Sequence, residues 1–133
     1  MDFEYIKVIK SDLDDIDKAV SYVLEKLSSV IRNEEIMFNI RIVINEIVIN
    51  SYEHGNKCNR EKGINLKVCV NMDCIHINVK DEGDGINYIF NENRDINMTT
   101  SGRGLRIVEH LVDELEINNN EIRAKIKCET NDI

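Results

Sequence analysis

Apolar residues recur along this chain with two different periods, and the switches between them mark out its elements. A weak alternation from Phe3 to Ile9 predicts an edge strand. After Ser11 or Asp12, either able to cap a helix, Leu13, Ile16, Val20, Val23, Leu24 and Leu27 keep a helical period. Asn33 with Glu34 and Glu35 reads as a second helix start, because acids favour the positive end of the helix dipole. That helix carries Ile36, Ile40, Val43, Ile44, Ile47 and Val48, runs to about His54 and meets a stop at Gly55.

The period then changes to strict alternation. Ile64, Leu66, Val68 and Val70 form one such series, and Ile75, Ile77 and Val79 another, with a turn near Met72 and Asp73 between them. A tight turn sets Val70 opposite Ile75, Val68 opposite Ile77 and Leu66 opposite Val79, placing all seven on one face of a half-buried hairpin. In that register Cys69 faces His76 rather than Cys74. A polar stretch from Asn87 to Ser101 leads into "GRGLRIVEHLVDEL", predicted as a helix with Leu105, Val108, Leu111, Val112 and Leu115 on one side. Ile117 and the series Ile122, Ala124, Ile126, Cys128 predict two strands about a turn at Asn118, Asn119 and Asn120. The sum is a single domain over residues 1–133, an α+β two-layer sandwich with about three helices on one face of a mostly antiparallel sheet.

Composition narrows the class. The chain is 42% hydrophobic and 32% charged, too apolar for a disordered segment. No apolar run approaches the ~20 residues that span a bilayer, and "MDFEYIKVIKSDLDD" lacks a basic-then-apolar signal pattern, so a cytoplasmic location is expected, without a membrane partner. A net charge of −8 repels a phosphate backbone and argues against nucleic-acid binding, although a local basic patch can still hold one small anion. Cys58, Cys69, Cys74 and Cys128 contain no Cys-x-x-Cys pair, which leaves free thiols as the expectation rather than a zinc or redox site.

Three features break the apolar pattern. The stretch "NEIVINSYEHGN" places Glu46, Asn50 and His54 four residues apart on an otherwise apolar helix. Glu46 and Asn50 are one turn apart and point to nearly the same place; Glu46 offers a base and Asn50 a hard oxygen suited to Mg²⁺. His54 has drifted further round the helix and equally suits a cap or a surface position. Continuing the register of Ile75, Ile77 and Val79 makes Asp81 the next inward residue, and a carboxylate there needs a hydrogen-bonding partner. It opens "DEGDG", whose Gly83 and Gly85 let the backbone approach a ligand closely or simply form a turn. Last, "TTSGRGLRIV" sets a Gly-x-Gly directly before a helix, with Arg103 adding charge to a potential anion site at the helix N-terminus. It is neither the Rossmann nor the Walker pattern.

Taken together and in this order, Glu-x-x-x-Asn on a helix, Asp-x-Gly-x-Gly after a strand and Gly-x-Gly before a helix resemble the GHKL (Bergerat-fold) ATP-binding family. The form "NEIVINSYEHGN … VKDEGDGI … SGRGLRIVEHLVDEL" is similar to the anti-sigma-factor serine/threonine kinases, from about Phe3 to Cys128. The resemblance implies ATP and Mg²⁺ as cofactors, with Asp81 accepting from the adenine amino group, Asn50 as the Mg²⁺ ligand and Glu46 as the general base. It implies a wall beside the base from Gly83, Gly85 and Ile86, and a lid over the phosphates from Thr99, Thr100, Ser101, Gly102, Arg103, Gly104 and Leu105, with His54 nearby. The helix beginning near Arg103 would receive the phosphates. A sigma factor and a small antagonist protein are the implied partners, and a homodimer is left open. The alternative is an ATP-gated protein-binding module without phosphotransfer. The stretch between the glycine motifs is short and Asn-rich, and the last hairpin has an asparagine turn where relatives place glycines and threonines, so the resemblance assigns that hairpin no role.

Overall fold

The computed structural model describes residues 3–71, 73–83 and 100–133, with the backbone alone at 100–103 and 130. Strand β1 (Phe3–Lys10) leads into helices α1 (Leu13–Ser28) and α2 (Glu34–Asn50), and a π-helical turn, Ser51–Gly55, prolongs α2. Strands β2 (Gly63–Val70) and β3 (Cys74–Lys80) follow, then α3 (Thr100–Leu111), β4 (Glu114–Asn118), β5 (Glu121–Lys127) and a short 3₁₀ turn at Thr130–Asp132. The described strands form one sheet in the order β1-β2-β3-β5-β4, antiparallel at every pairing.

Alternation fixes the register of this sheet. Val70 pairs with Ile75, Val68 with Ile77, Leu66 with Val79 and Cys69 with His76, as the hydrophobic pattern predicts. Asn71 ties the turn by accepting from the Cys74 amide at 3.1 Å through its side chain and donating to the Cys74 carbonyl at 3.0 Å through its backbone. On the inner face Ile64, Leu66, Val68, Ile75, Ile77, Val79 and Ile122 lose all contact with water, and they pack in one core with Val23, Leu27, Ile40, Val43, Ile44, Ile47 and Val108 of the helices. Burying each such side chain stabilises the fold by about 1.5–3 kcal/mol. The outer face carries Lys67, His76, Lys80 and Arg123 instead, all exposed.

Local signals set the helix starts differently. At α2 the Asn33 side chain accepts from the Ile36 amide at 3.0 Å, the cap its position predicts. At α1 Asp12 stands at the cap in an extended conformation without a side-chain cap bond, and Leu13 points outward, 54% exposed, so the apolar stripe begins at Ile16.

Helix α3 departs from the sequence-based expectation at both ends. It begins at Thr100, so Gly102 and Gly104 lie inside its first turns rather than ahead of it. It stops at Leu111, and Leu115, expected on its apolar side, belongs to β4 opposite Ala124. The Asp113 amide donates to the Lys125 carbonyl at 2.9 Å and the Asp113 carboxylate accepts from the Lys127 amide at 2.6 Å, drawing the chain into the sheet. All four cysteines are free, and among the described residues no helix is long and apolar enough to cross a membrane.

Candidate functional site

The inner face of the sheet ends in a charge. Asp81 continues the inward register beyond Val79 and is 2% exposed. Its Oδ1 accepts from the Gly83 amide at 2.8 Å, whereas Oδ2 is buried with no hydrogen-bond partner among the described residues. Burial pushes the carboxyl above the ordinary 3.8, and the Gly83 amide, the Ser51 hydroxyl and the Lys62 charge pull the other way. The Ser51 hydroxyl favours the ionised form electrostatically but does not reach hydrogen-bond geometry, since its buried Oγ also has no partner. A buried acceptor left without a donor costs about 1–3 kcal/mol.

The end of α2 closes around this carboxylate. Asn50 is 6% exposed, and its buried Oδ1 likewise has no partner among the described residues. Beyond it the π-helical turn brings Ser51 and Gly55 inward, both buried, and ends where the Asn56 amide donates to the Ser51 carbonyl at 2.7 Å. A β-carbon at Gly55 would stand 2.8 Å from Asp81 Oδ1 and overlap Oδ2 outright; one at Gly83 would run into the Gly55 carbonyl. These two glycines are required by close approach, with the backbone of one element resting on the carboxylate of another. His54 turns the other way: it is about half exposed, with Nε2 3.6 Å from the Glu53 carboxylate, and takes no part in the hydrogen bonds described around Asp81.

Two asparagines that the sequence reading did not select frame the Asp81 loop. Asn56, 1% exposed, donates through Nδ2 to Ser11 Oγ at 2.7 Å and to the Gly63 carbonyl at 3.0 Å, and its Oδ1 accepts from the Glu82 amide at 2.8 Å. Asn120, in the β4–β5 turn, accepts from the Asp81 amide at 3.0 Å through its carbonyl and donates through Nδ2 to the Asp81 carbonyl. The Glu82 carboxylate accepts from the Gly63 amide. The signal for Asn56 lay in its place directly after Gly55. Nothing local marks Asn120, since its partner lies on another strand.

Glu46, one turn before Asn50, is partly buried and packs on the first turns of α3. A β-carbon at Gly104 would lie 2.5 Å from Glu46 Oε2, so a glycine admits the carboxylate to the helix surface there. That contact accounts for a residue costing about 1 kcal/mol in a helix relative to alanine. The structure thus joins Glu46 to Gly104 and Asp81 to Gly55 and Gly83, with Asn50 on α2 between Glu46 and Gly55. Leu105, expected in a lid, is a core residue at 2% exposure. Thr100, Ser101, Gly102 and Arg103 contribute backbone to the start of α3, and Gly85, Ile86 and Thr99 lie outside the described residues.

Chemically, the site offers a buried carboxylate oxygen suited to a ligand N–H, a buried amide oxygen suited to a hard cation, and a partly buried carboxylate beside the positive end of a helix. The family described as histidine kinase-like ATPase domain matches the chain over residues 9–127. The anti-sigma F factors of Bacillus thuringiensis (strain Al Hakam), Bacillus mycoides (strain KBAB4) and Bacillus cereus (strain AH187) are each 32% identical to it over 93 residues, 65% of this chain and 63% of theirs. The chain therefore spans less than two thirds of the length of these curated relatives.

Proposed function

Because the chain belongs to the histidine kinase-like ATPase domain family, we propose that it binds Mg·ATP at the Asp81–Asn50–Glu46 cluster and acts as a serine/threonine protein kinase and anti-sigma factor. The observation that carries this is the pair of buried oxygens, Asp81 Oδ2 and Asn50 Oδ1, that have no hydrogen-bond partner among the described residues. Each is costly in an isolated protein and is satisfied by a ligand that brings an amino group to one and a metal-bound phosphate to the other. A site residue left unsatisfied is a reason for the ligand, not for the fold.

The residues fit both groups. Asp81 would accept from the adenine amino group, with the backbone of Gly55 and Gly83 packed closely about its carboxylate. Asn50 Oδ1 would hold Mg²⁺, whose chemistry there is neutralisation of phosphate charge. Among the described residues no cluster of three His, Cys, Asp or Glu could hold a metal alone, so an ion at Asn50 would also depend on phosphate oxygens and water. The start of α3 would face the phosphates with its backbone amides. Glu46 would take the proton of a serine or threonine hydroxyl while that oxygen attacks the γ-phosphorus and the bond to the bridging oxygen of ADP breaks. Orientation and charge complementarity supply most of the acceleration in such transfers.

The proposed partners follow from the relatives' name, anti-sigma F factor. They are a sigma factor, held inactive while bound, and a small antagonist protein whose serine receives the phosphate. The test is transfer of labelled γ-phosphate to candidate antagonist proteins by the parent and by Glu46→Gln. Loss of a general base costs about 10²–10⁴-fold in rate. Glu46→Gln should keep Mg·ATP and sigma-factor binding and lose transfer by that factor. Equal inertness of parent and variant toward every serine-bearing partner would leave an ATP-gated binding module as the better account.

A further inference from the structure

The asparagine turn between β4 and β5, to which the sequence assigns no role, reaches the Asp81 loop. Asn120 makes two hydrogen bonds to the Asp81 backbone, accepting from its amide at 3.0 Å and donating from Nδ2 to its carbonyl. On the other side Asn56 Oδ1 accepts from the next amide, that of Glu82, at 2.8 Å, while Asn56 Nδ2 is anchored on Ser11 Oγ at 2.7 Å and the Gly63 carbonyl at 3.0 Å. The peptide joining Asp81 to Glu82 is thus held from both sides by amide side chains of two elements distant in sequence. Once that peptide is fixed, the Asp81 side chain has little freedom. Its Oδ1 is taken by Gly83, and Oδ2, which lies against the Gly55 backbone, is left as the acceptor with no hydrogen-bond partner among the described residues.

We propose that Asn56 and Asn120 are positioning residues that set base selectivity, by clamping the Asp81–Glu82 peptide so that Asp81 Oδ2 presents one fixed acceptor to the ligand's exocyclic amino group. This rests on the assignment of Asp81 to adenine. A hydrogen bond to a charged acceptor depends steeply on angle and distance, so a carboxylate free to swing accepts from water as readily as from the base. None of the clamp's described hydrogen bonds reaches Glu46, Asn50 or the start of α3, where the triphosphate is proposed to lie. Loosening it should therefore erode discrimination between bases while sparing the affinity common to all nucleoside triphosphates.

The probes are Mg·ATP and Mg·inosine triphosphate, which differ at this edge by an amino group replaced with a carbonyl. Binding of both is measured by calorimetry on the full chain, together with the melting temperature. The parent should prefer ATP by about 10²-fold or more, because a site built around a donor rejects an analogue that lacks it. Asn120→Ala, at a partly exposed turn position that keeps its backbone bond, should fold and reduce the ATP preference about tenfold, through weaker ATP binding with inosine triphosphate unchanged. Asn120→Asp, which sets a carboxylate against the Asp81 carbonyl, should reduce it further, and Asn56→Ala should act like Asn120→Ala at a lower melting temperature. An unchanged ATP preference in folded Asn120→Ala, or equal weakening of both nucleotides, overturns the clamp and makes these asparagines merely structural. A parent that does not discriminate, or an Asp81→Asn variant that still does, overturns the assignment of Asp81 instead.

Discussion

Gly104→Ala should leave stability nearly unchanged and depress phosphotransfer, so that one methyl group separates folding from chemistry. Gly104 sits in an ordinary helical stretch of α3, so an alanine fits its backbone, and the exchange contributes about 1 kcal/mol of helix propensity. The added carbon would lie 2.5 Å from Glu46 Oε2 and 3.6 Å from its carboxyl carbon. Normal contact requires roughly 3.5 Å, so the carboxylate must retreat by about 1 Å. Glutamate is long, and a changed rotamer absorbs this for about 0.5–1.5 kcal/mol, which leaves net stability within about 0.5 kcal/mol of the parent. Catalysis is less forgiving, since a misplacement of about 1 Å can cost ~10²-fold in rate. Urea denaturation, Mg·ATP calorimetry and labelled-phosphate transfer should return, in order, a stability within about 0.5 kcal/mol of the parent, a change within about twofold and a fall of about 10²-fold. The double variant with Glu46→Gln should be no slower than Glu46→Gln alone, because both act on one group. Transfer at the parental rate in Gly104→Ala would show that the contact between Glu46 and α3 has no bearing on the chemistry.

Gly55→Ala drives a β-carbon into the Asp81 carboxylate; it should cost about 1–3 kcal/mol of stability and weaken ATP binding at least tenfold, and parental affinity in a folded variant would refute the close approach. EDTA should weaken nucleotide binding in the parent and have much less effect in Asn50→Ala; equal losses would take the metal away from Asn50. For Asp81 the folded carboxyl lies above its ordinary 3.8, so the native state holds the proton more tightly than the unfolded chain. Without nucleotide, the parent should therefore lose stability relative to Asp81→Asn as pH rises from 3.8 through the raised native value, and the gap should be flat above it. Denaturation curves for both chains across that window check the sign, and a gap that widens in the parent's favour with rising pH refutes it.

What could be read from the sequence divides along a physical line. The β2–β3 hairpin was legible because strict alternation admits one register, and a single-residue slip would have turned Val68 and Ile77 into solvent. The same register carried Asp81 inward, so the most unusual group of the site could be found without a structure. The end of α3 was not legible, because Leu111, Val112 and Leu115 satisfy a helical period while Leu115 and Ile117 satisfy a strand's. Pairing with Ala124 and Ile122 decided it, a choice made by tertiary contacts that no local propensity reveals. Asn120 was missed for the same reason: the side chain serves a backbone 39 positions away. His54 kept the four-residue spacing of Glu46 and Asn50, but the π-helical turn after Asn50 broke the α-helical spacing and brought Gly55 to Asp81 instead.

The order of strands in the sheet has a consequence for how the molecule is made. During synthesis at about 5–20 residues per second, β1 emerges seconds before β2, its partner in the sheet, and β3 emerges before β5. A nascent chain extending only through α3 would already contain Glu46, Asn50 and Asp81, yet Asn120 would be missing from the Asp81 loop. The clasp closes only when the β4–β5 hairpin docks along β3, the last pairing the ribosome permits. A ligand that recognises the completed clasp stabilises chains that carry the docked β4–β5 hairpin more than shorter ones. In a series of lengthening chains, the preference for ATP over other nucleoside triphosphates should then rise at the length that frees β5, where the final hairpin can dock.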